Sequence, residues 1–315
     1  MLDSNKIKNR ENKLKYELKS FKYNWVRSKR YIRELTEKEV RYCMSIQFER
    51  RMGYKLNLDN PKTLSEKIQW LKLYYHNPLM TKCADKVEAR NYIKDIVGEK
   101  YLVPFLGVYN NPKEIEFEKL PDQFIIKTNW GCKQNILCKD KSAFNKDSAI
   151  QKLTDWIKPK NNFYYEFFEW QYKNIKPKIV CEKLLLGKDG KIVKNYKFFC
   201  FNGKFKYLMI PTRYKENAVL FNFYDRNLNL QPFTYGDLKN NKEQELKIDN
   251  YDEMINVAEK LAQPFPLVRV DMYEDGDNNV YIGELTFTPN NGTYPFNPVE
   301  WDYKLGELLT LPSKI

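Results

Sequence analysis

Arg269 and Asp271 alternate with Val268, Val270 and Met272 in the run LVRVDMY at 267–273. Successive strand residues point to opposite faces, so Arg269 and Asp271 share one face and the apolar trio shares the other. An acidic, Gly-bearing turn joins this run to VYIGELTF at 280–287. Regular pairing puts Ile282, Glu284 and Thr286 on the polar side, where Arg269, Asp271 and Glu284 meet. Two carboxylates brought together repel unless a cation lies between them. Magnesium prefers one or two carboxylates completed by phosphate oxygens and water, and a guanidinium fork suits phosphoryl oxygens. The same trio also reads as a salt bridge on an exposed hairpin face, and a one-residue slip in register separates it.

Two lysines interrupt apolar strand patterns: Lys127 in FIIKT at 124–128 and Lys197 in NYKFF at 195–199. Burying an ammonium is costly unless an anion meets it. A nucleotide phosphate is one such anion; an edge-strand lysine reaching water is the ordinary alternative. Between them, KIVCEKLLL at 178–186 ends in Glu182, Lys183, Leu184 and Leu185, where backbone N–H and C=O groups become available to an adenine edge. The order carries more than any single signal: lysine strand, Glu-ended strand, lysine strand, Asp strand, Glu strand.

These segments need elements to hold them. TEKEVRYCMSIQFERRM at 36–52 opens with a Thr36–Glu39 capping box and reads as a helix. SEKIQWLKLYYH follows with Ser65 as its cap, and a further helix spans Asp85 to Ile96, ended near Gly98. From Tyr101 the character turns to strands. YKFFCF and KFKYLMI flank Asn202-Gly203, a two-residue hairpin turn, and a helix at 251–262 precedes the last hairpin. Hairpins mixed with helices predict an α+β chain rather than a doubly wound parallel sheet.

Composition narrows the chemistry. The chain has 315 residues, one histidine and six cysteines with no CxxC pair, which disfavours a zinc site and a histidine-based triad. Carboxylates, lysines and arginines are left to carry any reaction. No apolar run is long enough for a membrane span, and the polar, basic start has no h-region. The net charge of +13 suits acidic small molecules, an anionic membrane surface or nucleic acid; without a recognised nucleic-acid motif, nucleic acid is not expected as a partner. Residues 1–25 form a basic arm that reads as a solvated terminus, with peripheral contact to a membrane as the second reading.

The strand order resembles the ATP-grasp superfamily. The chain looks like the TupA-like ATP-grasp family of bacterial polysaccharide and teichuronopeptide biosynthesis through NPKTLSEKIQWLKLY (60–74), ADKVEARNYI (84–93), LPDQFIIKTNWG (120–131), EWQYKNIKPKIVCEKLL (169–185), YKFFCFNGKFK (196–206), FPLVRVDMY (265–273) and IGELTFTP (282–289). The resemblance implies two α+β lobes clasping ATP: a helical region at 26–100, a first lobe at 101–178 and a second lobe with the metal site at 179–315. Lys127 and Lys133 would contact phosphate. Glu182 and the backbone of Lys183, Leu184 and Leu185 would hold adenine. Lys197 and Arg269 would act on phosphate or acyl phosphate, and Asp271, Glu284 and Asn291 would ligate Mg²⁺. The implied activity is a cytoplasmic ATP-dependent carboxylate–amine ligase, joining a sugar acid or amino acid of a surface polysaccharide to an amine.

The sequence departs from the family at several points. Trp130-Gly131-Cys132-Lys133 stands where a His-Gly-Ser-Gly loop is usual, Asn195 where Asp is common, and Thr286 where a metal-binding Asn is frequent. A catalytically weakened ATP- or sugar-binding protein is therefore one alternative. A glycosyltransferase is another; its DxD spacing occurs only as Asp275-Gly276-Asp277, inside a turn.

Overall fold

A computed structural model describes residues 17–215, 218–236, 240 and 246–315. The first part of the basic arm, residues 1–16, lies outside them. The chain divides into two compact units, residues 1–57 and 58–315.

In the first unit, a helical stretch at 17–28 and the helix Glu37–Met52 pair. Tyr23 and Val26 are buried, and the Gln47 amide donates to the Tyr23 hydroxyl at 2.9 Å. The expected capping box is present: Thr36 accepts from the Glu39 N–H and Glu39 accepts from the Thr36 N–H. Gly53, at φ 80°, ends the helix in the left-handed conformation that favours glycine.

The second unit holds eleven strands among the described residues. They are β1 (Phe105–Tyr109), β2 (Phe124–Thr128), β3 (Asn135–Cys138), β4 (Ile179–Lys183), β5 (Asn195–Phe201) and β6 (Lys204–Lys215). Then come β7 (Ala218–Tyr224), β8 (Thr234–Tyr235), β9 (Leu267–Glu274), β10 (Val280–Thr286) and β11 (Phe296–Asn297). They form a four-stranded antiparallel sheet ordered β1-β4-β2-β3, a five-stranded one ordered β10-β9-β5-β6-β7, and a β11-β8 pair. β4, beyond the expected 178/179 boundary, is hydrogen-bonded between β1 and β2.

Each large sheet has one helix-covered face. Phe124, Ile126, Ile179 and Cys181 join Leu153, from the helix Lys146–Trp156, in one core. The alternate residues Ile125, Lys127, Val180 and Glu182 look the other way. In the five-stranded sheet, Val268, Val270 and Met272 are fully buried on the side covered by the helix Tyr251–Ala262. Asn202 (φ 48°) and Gly203 (φ 77°) make the tight β5–β6 turn, both left-handed as a type I′ hairpin requires.

Three local expectations change. Thr63, not Ser65, caps the helix Leu64–Tyr74, because Glu66 lies three residues beyond it and completes a capping box. The helix expected from Asp85 starts at Ala89; Asp85 instead ends the helix Pro78–Ala84. Finally, β10 carries a bulge between Ile282 and Glu284. Ile282 therefore pairs with Met272 and belongs to the apolar side, while Glu284 pairs with Asp271. A side chain at Gly283 would lie 2.4 Å from the Tyr273 ring, so glycine lets the ring close over the bulge.

Candidate active site

The uncovered face of the five-stranded sheet gathers the polar trio. Arg269 donates from Nε to Asp271 Oδ1 at 2.6 Å and from Nη2 to Asp271 Oδ2 at 2.8 Å, a bidentate fork. Its Nη2 also reaches Glu284 Oε1 at 3.2 Å and Thr286 Oγ1 at 3.1 Å. Lys197, opposite Asp271 on β5, bridges to Asp271 Oδ2. The Arg269 and Asp271 side chains are only 9% and 1% exposed, which rules out a salt bridge on an exposed hairpin.

Neither lysine sits at a sheet edge. β2 lies between β4 and β3, and β5 between β9 and β6. Lys127 Nζ contacts Glu182 Oε2 at 2.6 Å across the β2–β4 ladder. With Lys127 16% and Lys197 14% exposed, each amine is met by an anion rather than by water.

The two sheets approach each other at Glu182 and Glu284. Glu182 and Glu284 line the same small cavity, together with Lys86, Arg90 and Gly283. The Tyr273 phenol is lifted by burial, then by Glu284, Asp271 and Glu182. Burial works against the Glu284 charge, but Lys86, Lys197 and Arg269 outweigh it and hold this carboxyl at about 2. Three cations thus face two carboxylates, a surplus that suits a polyphosphate.

A third lysine, Lys86, joins the site without a local sequence signal. Its ammonium lies 3.6 Å from Glu284 Oε2 and donates to the Gly131 carbonyl at 3.1 Å, while its N–H bonds the Asn129 carbonyl at 3.1 Å. It sits in a short connection between helices, where no periodicity marks it; the segment ADKVEARNYI includes it only through the family resemblance. Tyr273 carries no signal either, because an aromatic at a strand end is an ordinary core residue.

The remaining expected residues divide. Cys132 lies near Glu284, Arg269, Lys86 and Lys133; burial raises its thiol first, and the Glu284 charge adds to this. The Trp130–Lys133 loop therefore borders the site. Lys133 is exposed in it at φ 59°. A side chain at Gly131 would lie 2.2 Å from Gln134 Oε1 and 2.4 Å from Thr128 Oγ1, so glycine permits the 2.6 Å Thr128–Gln134 bond that closes the loop. The Lys183 N–H is spent on the Pro104 carbonyl at 3.0 Å, and Leu184 and Leu185 are buried.

Asn291 departs from its expected metal role. Its Oδ1 accepts from Lys72 at 2.5 Å, and its carbonyl accepts from Gln69 at 2.7 Å. The oxygen meant for a metal is committed to a buried ammonium on the helix Leu64–Tyr74. A neighbouring buried group joins Glu169, Thr288 and Gln171: Thr288 donates to Glu169, and Gln171 donates to Thr288 at 2.8 Å.

Asp271 and Glu284 remain to be matched to magnesium. Among the described residues, no three His, Cys, Asp or Glu side chains converge to hold an ion. Two cross-strand carboxylates fit an ion whose other positions are filled by phosphate oxygens and water. Asp275 is no such ligand, because its carboxylate accepts the N–H groups of Asp277 at 3.0 Å and Asn279 at 2.9 Å within its own turn.

This chain belongs to the TupA-like ATP-grasp family, whose match covers residues 66–310. No curated protein matches it. Similar solved structures include N5-carboxyaminoimidazole synthetase from Staphylococcus aureus, at 15% identity over 65% of this chain and 44% of that one, with a TM-score of 0.38. D-alanine–D-alanine ligase from Bacillus anthracis is 18% identical over 65% of this chain and 57% of that one, TM-score 0.39. The ATP-grasp ligase PsnB, complexed with minimal precursor, Mg and ADP, is 11% identical over 78% and 64%, TM-score 0.38. The chain thus spans less than two thirds of the length of each.

Proposed function

We propose that this protein is an ATP-dependent carboxylate–amine ligase acting on a sugar acid or amino acid in bacterial surface polysaccharide biosynthesis. The observation that carries the reading is the Asp271–Glu284 cross-strand pair, ringed by Arg269, Lys197 and Lys86. In the reaction, a carboxylate oxygen of the acceptor attacks the γ-phosphorus, the bond to the β-phosphate oxygen breaks, and ADP leaves. An amine then attacks the acyl carbon; a C–N bond forms, the C–O bond to phosphate breaks, and the amine releases a proton.

Asp271 and Glu284 would hold Mg²⁺, which when bound neutralises phosphate charge and orients the phosphates for in-line transfer. Arg269, Lys197 and Lys86 supply donors toward charge that develops on the transferring phosphoryl. Lys127 would offer a further phosphate contact, and the backbone of Leu184 and Leu185, beyond the Lys183 N–H held by Pro104, would meet an adenine edge. This chemistry requires no histidine. His76 lies stacked on Trp170 instead, with ring centroids 4.6 Å apart.

The reading places the protein in the cytoplasm, where MgATP is supplied. Among the described residues no helix is long and apolar enough to cross a membrane. ADP release measured with ATP, Mg²⁺, a uronic acid and an amine tests the proposal. Release that needs both acid and amine supports ligation. Release with the sugar acid alone makes the protein a kinase, and nucleotide binding without release makes it a binding protein.

A further inference from the structure

The charge of this chain is unevenly placed. Residues 1–57 contain 16 Lys and Arg against 7 Asp and Glu, a net +9 of the total +13. In the helical stretch at 17–28, Leu18, Phe21 and Trp25 recur at i, i+3 and i+7, so they share one face. That face is bare: Leu18 is 61% exposed, Phe21 73% and Trp25 55%, and Ile32 just beyond the helix is 88% exposed. The helix is seated by a different face, that of the buried Tyr23 and Val26. Folding of this unit therefore leaves the stripe uncovered.

Cations border the stripe. Lys19 and Lys22 are exposed along it, and the Lys29 ammonium lies 3.6 Å from the centre of the Trp25 ring. Two acids pair with some of these cations, so attraction to an anionic surface rests on the net +9 of the whole unit. Glu39 is engaged by Arg33 at 2.8 Å and by Lys29 at 3.2 Å, and Glu49 by Lys19 at 3.3 Å.

We propose that this face docks on an anionic lipid surface, with Leu18, Phe21, Trp25 and Ile32 entering the headgroup–acyl boundary and the flanking cations meeting lipid phosphates. Helices that lie on membranes combine an apolar face, often with Trp and Phe, with basic flanks. Tryptophan suits that depth because its ring is apolar and its N–H polar. Nucleic acid would use the charge but leave four large apolar side chains in water. A second copy would bring one +9 unit against another.

Vesicle cosedimentation of the full chain tests this, using phosphatidylcholine with and without phosphatidylglycerol and no nucleotide. Binding should require phosphatidylglycerol and weaken as salt rises. Phe21→Ser with Trp25→Ser should weaken it by about tenfold or more, and Lys22→Glu by about fivefold or more. The substituted side chains are exposed, so thermal unfolding should stay unchanged; Ile32→Ser, outside the helix, gives an independent variant expected to act in the same direction. Absence of vesicle binding, equal binding to neutral vesicles, or undiminished binding by the variants overturns the proposal. Self-association that the variants abolish, without vesicle binding, makes a second copy the occupant and also overturns it. Because no nucleotide is present, failure here leaves the ligase reading standing.

Discussion

Glu284 stands directly across the β9–β10 ladder from Asp271, despite an extra residue in its own strand. The bulge at Gly283 makes this possible: it turns Ile282 inward with Met272 and presents Glu284 beside Asp271. Arg269 then joins both carboxylates. The arrangement is a buried charge network whose acids are suited to a metal and whose bases are suited to phosphate.

The two acids should respond differently to neutralisation. Asp271 is fully buried and holds both Arg269 and Lys197. Asp271→Asn should cost about 3–5 kcal/mol of stability, since two buried cations lose a partner, and turnover should fall by about a hundredfold or more. Glu284, more exposed, should lose turnover as Gln with a much smaller change in unfolding temperature. Thermal unfolding beside ADP-release assays checks both. Normal Mg²⁺-dependent turnover in either variant would misplace the site.

Lys127→Met should lower nucleotide affinity by about tenfold or more, at a scale of 1.4 kcal/mol per tenfold. The substitution also leaves Glu182 without its ammonium partner. Lys127→Arg keeps the charge and should recover part of the affinity. Unchanged binding by the methionine variant in calorimetry would count against the phosphate role.

Gly283→Ala should destabilise by about 1–3 kcal/mol, because the new methyl meets the Tyr273 ring and well-filled interiors resist added atoms. Removing that ring with Tyr273→Ala should relieve much of the penalty. A double-mutant cycle by chemical denaturation checks this; purely additive effects would contradict the close contact.

Burial lifts Glu169 from 4.5 to about 7 against the opposing pull of Lys72 and Thr288. The folded state therefore binds this proton more tightly than the unfolded one. The stabilisation is fully present below pH 4.5 and is lost as pH rises through about 7. Glu169→Gln resembles the protonated form and should remove this part of the pH dependence. Unfolding temperatures from pH 5 to 8 should decline less in the variant; parallel profiles would refute the shift.

Patterns that depend on near neighbours were legible in the sequence. The Thr36–Glu39 capping box, the Asn202–Gly203 hairpin and the shared face of Arg269 and Asp271 follow from local spacing. Thr63 was legible too, since Glu66 lies three residues on, but Ser65 drew the assignment by residue type. The bulge was not, because the Tyr273 ring that packs against Gly283 comes from the partner strand. The tie between Lys72 and Asn291 spans 219 residues, and nothing local to either signals it. Lys86, which reaches Glu284, has its backbone N–H bonded to Asn129 just beyond β2, a contact distant in sequence.

Calorimetric titration of ATP into the full chain, with and without Mg²⁺, tests the central arrangement most directly. The account predicts that Mg²⁺ tightens ATP binding and that Glu284→Gln removes this gain while leaving ATP binding itself in place. Failure of the native chain to bind ATP, or an equal gain from Mg²⁺ in the variant, would contradict it.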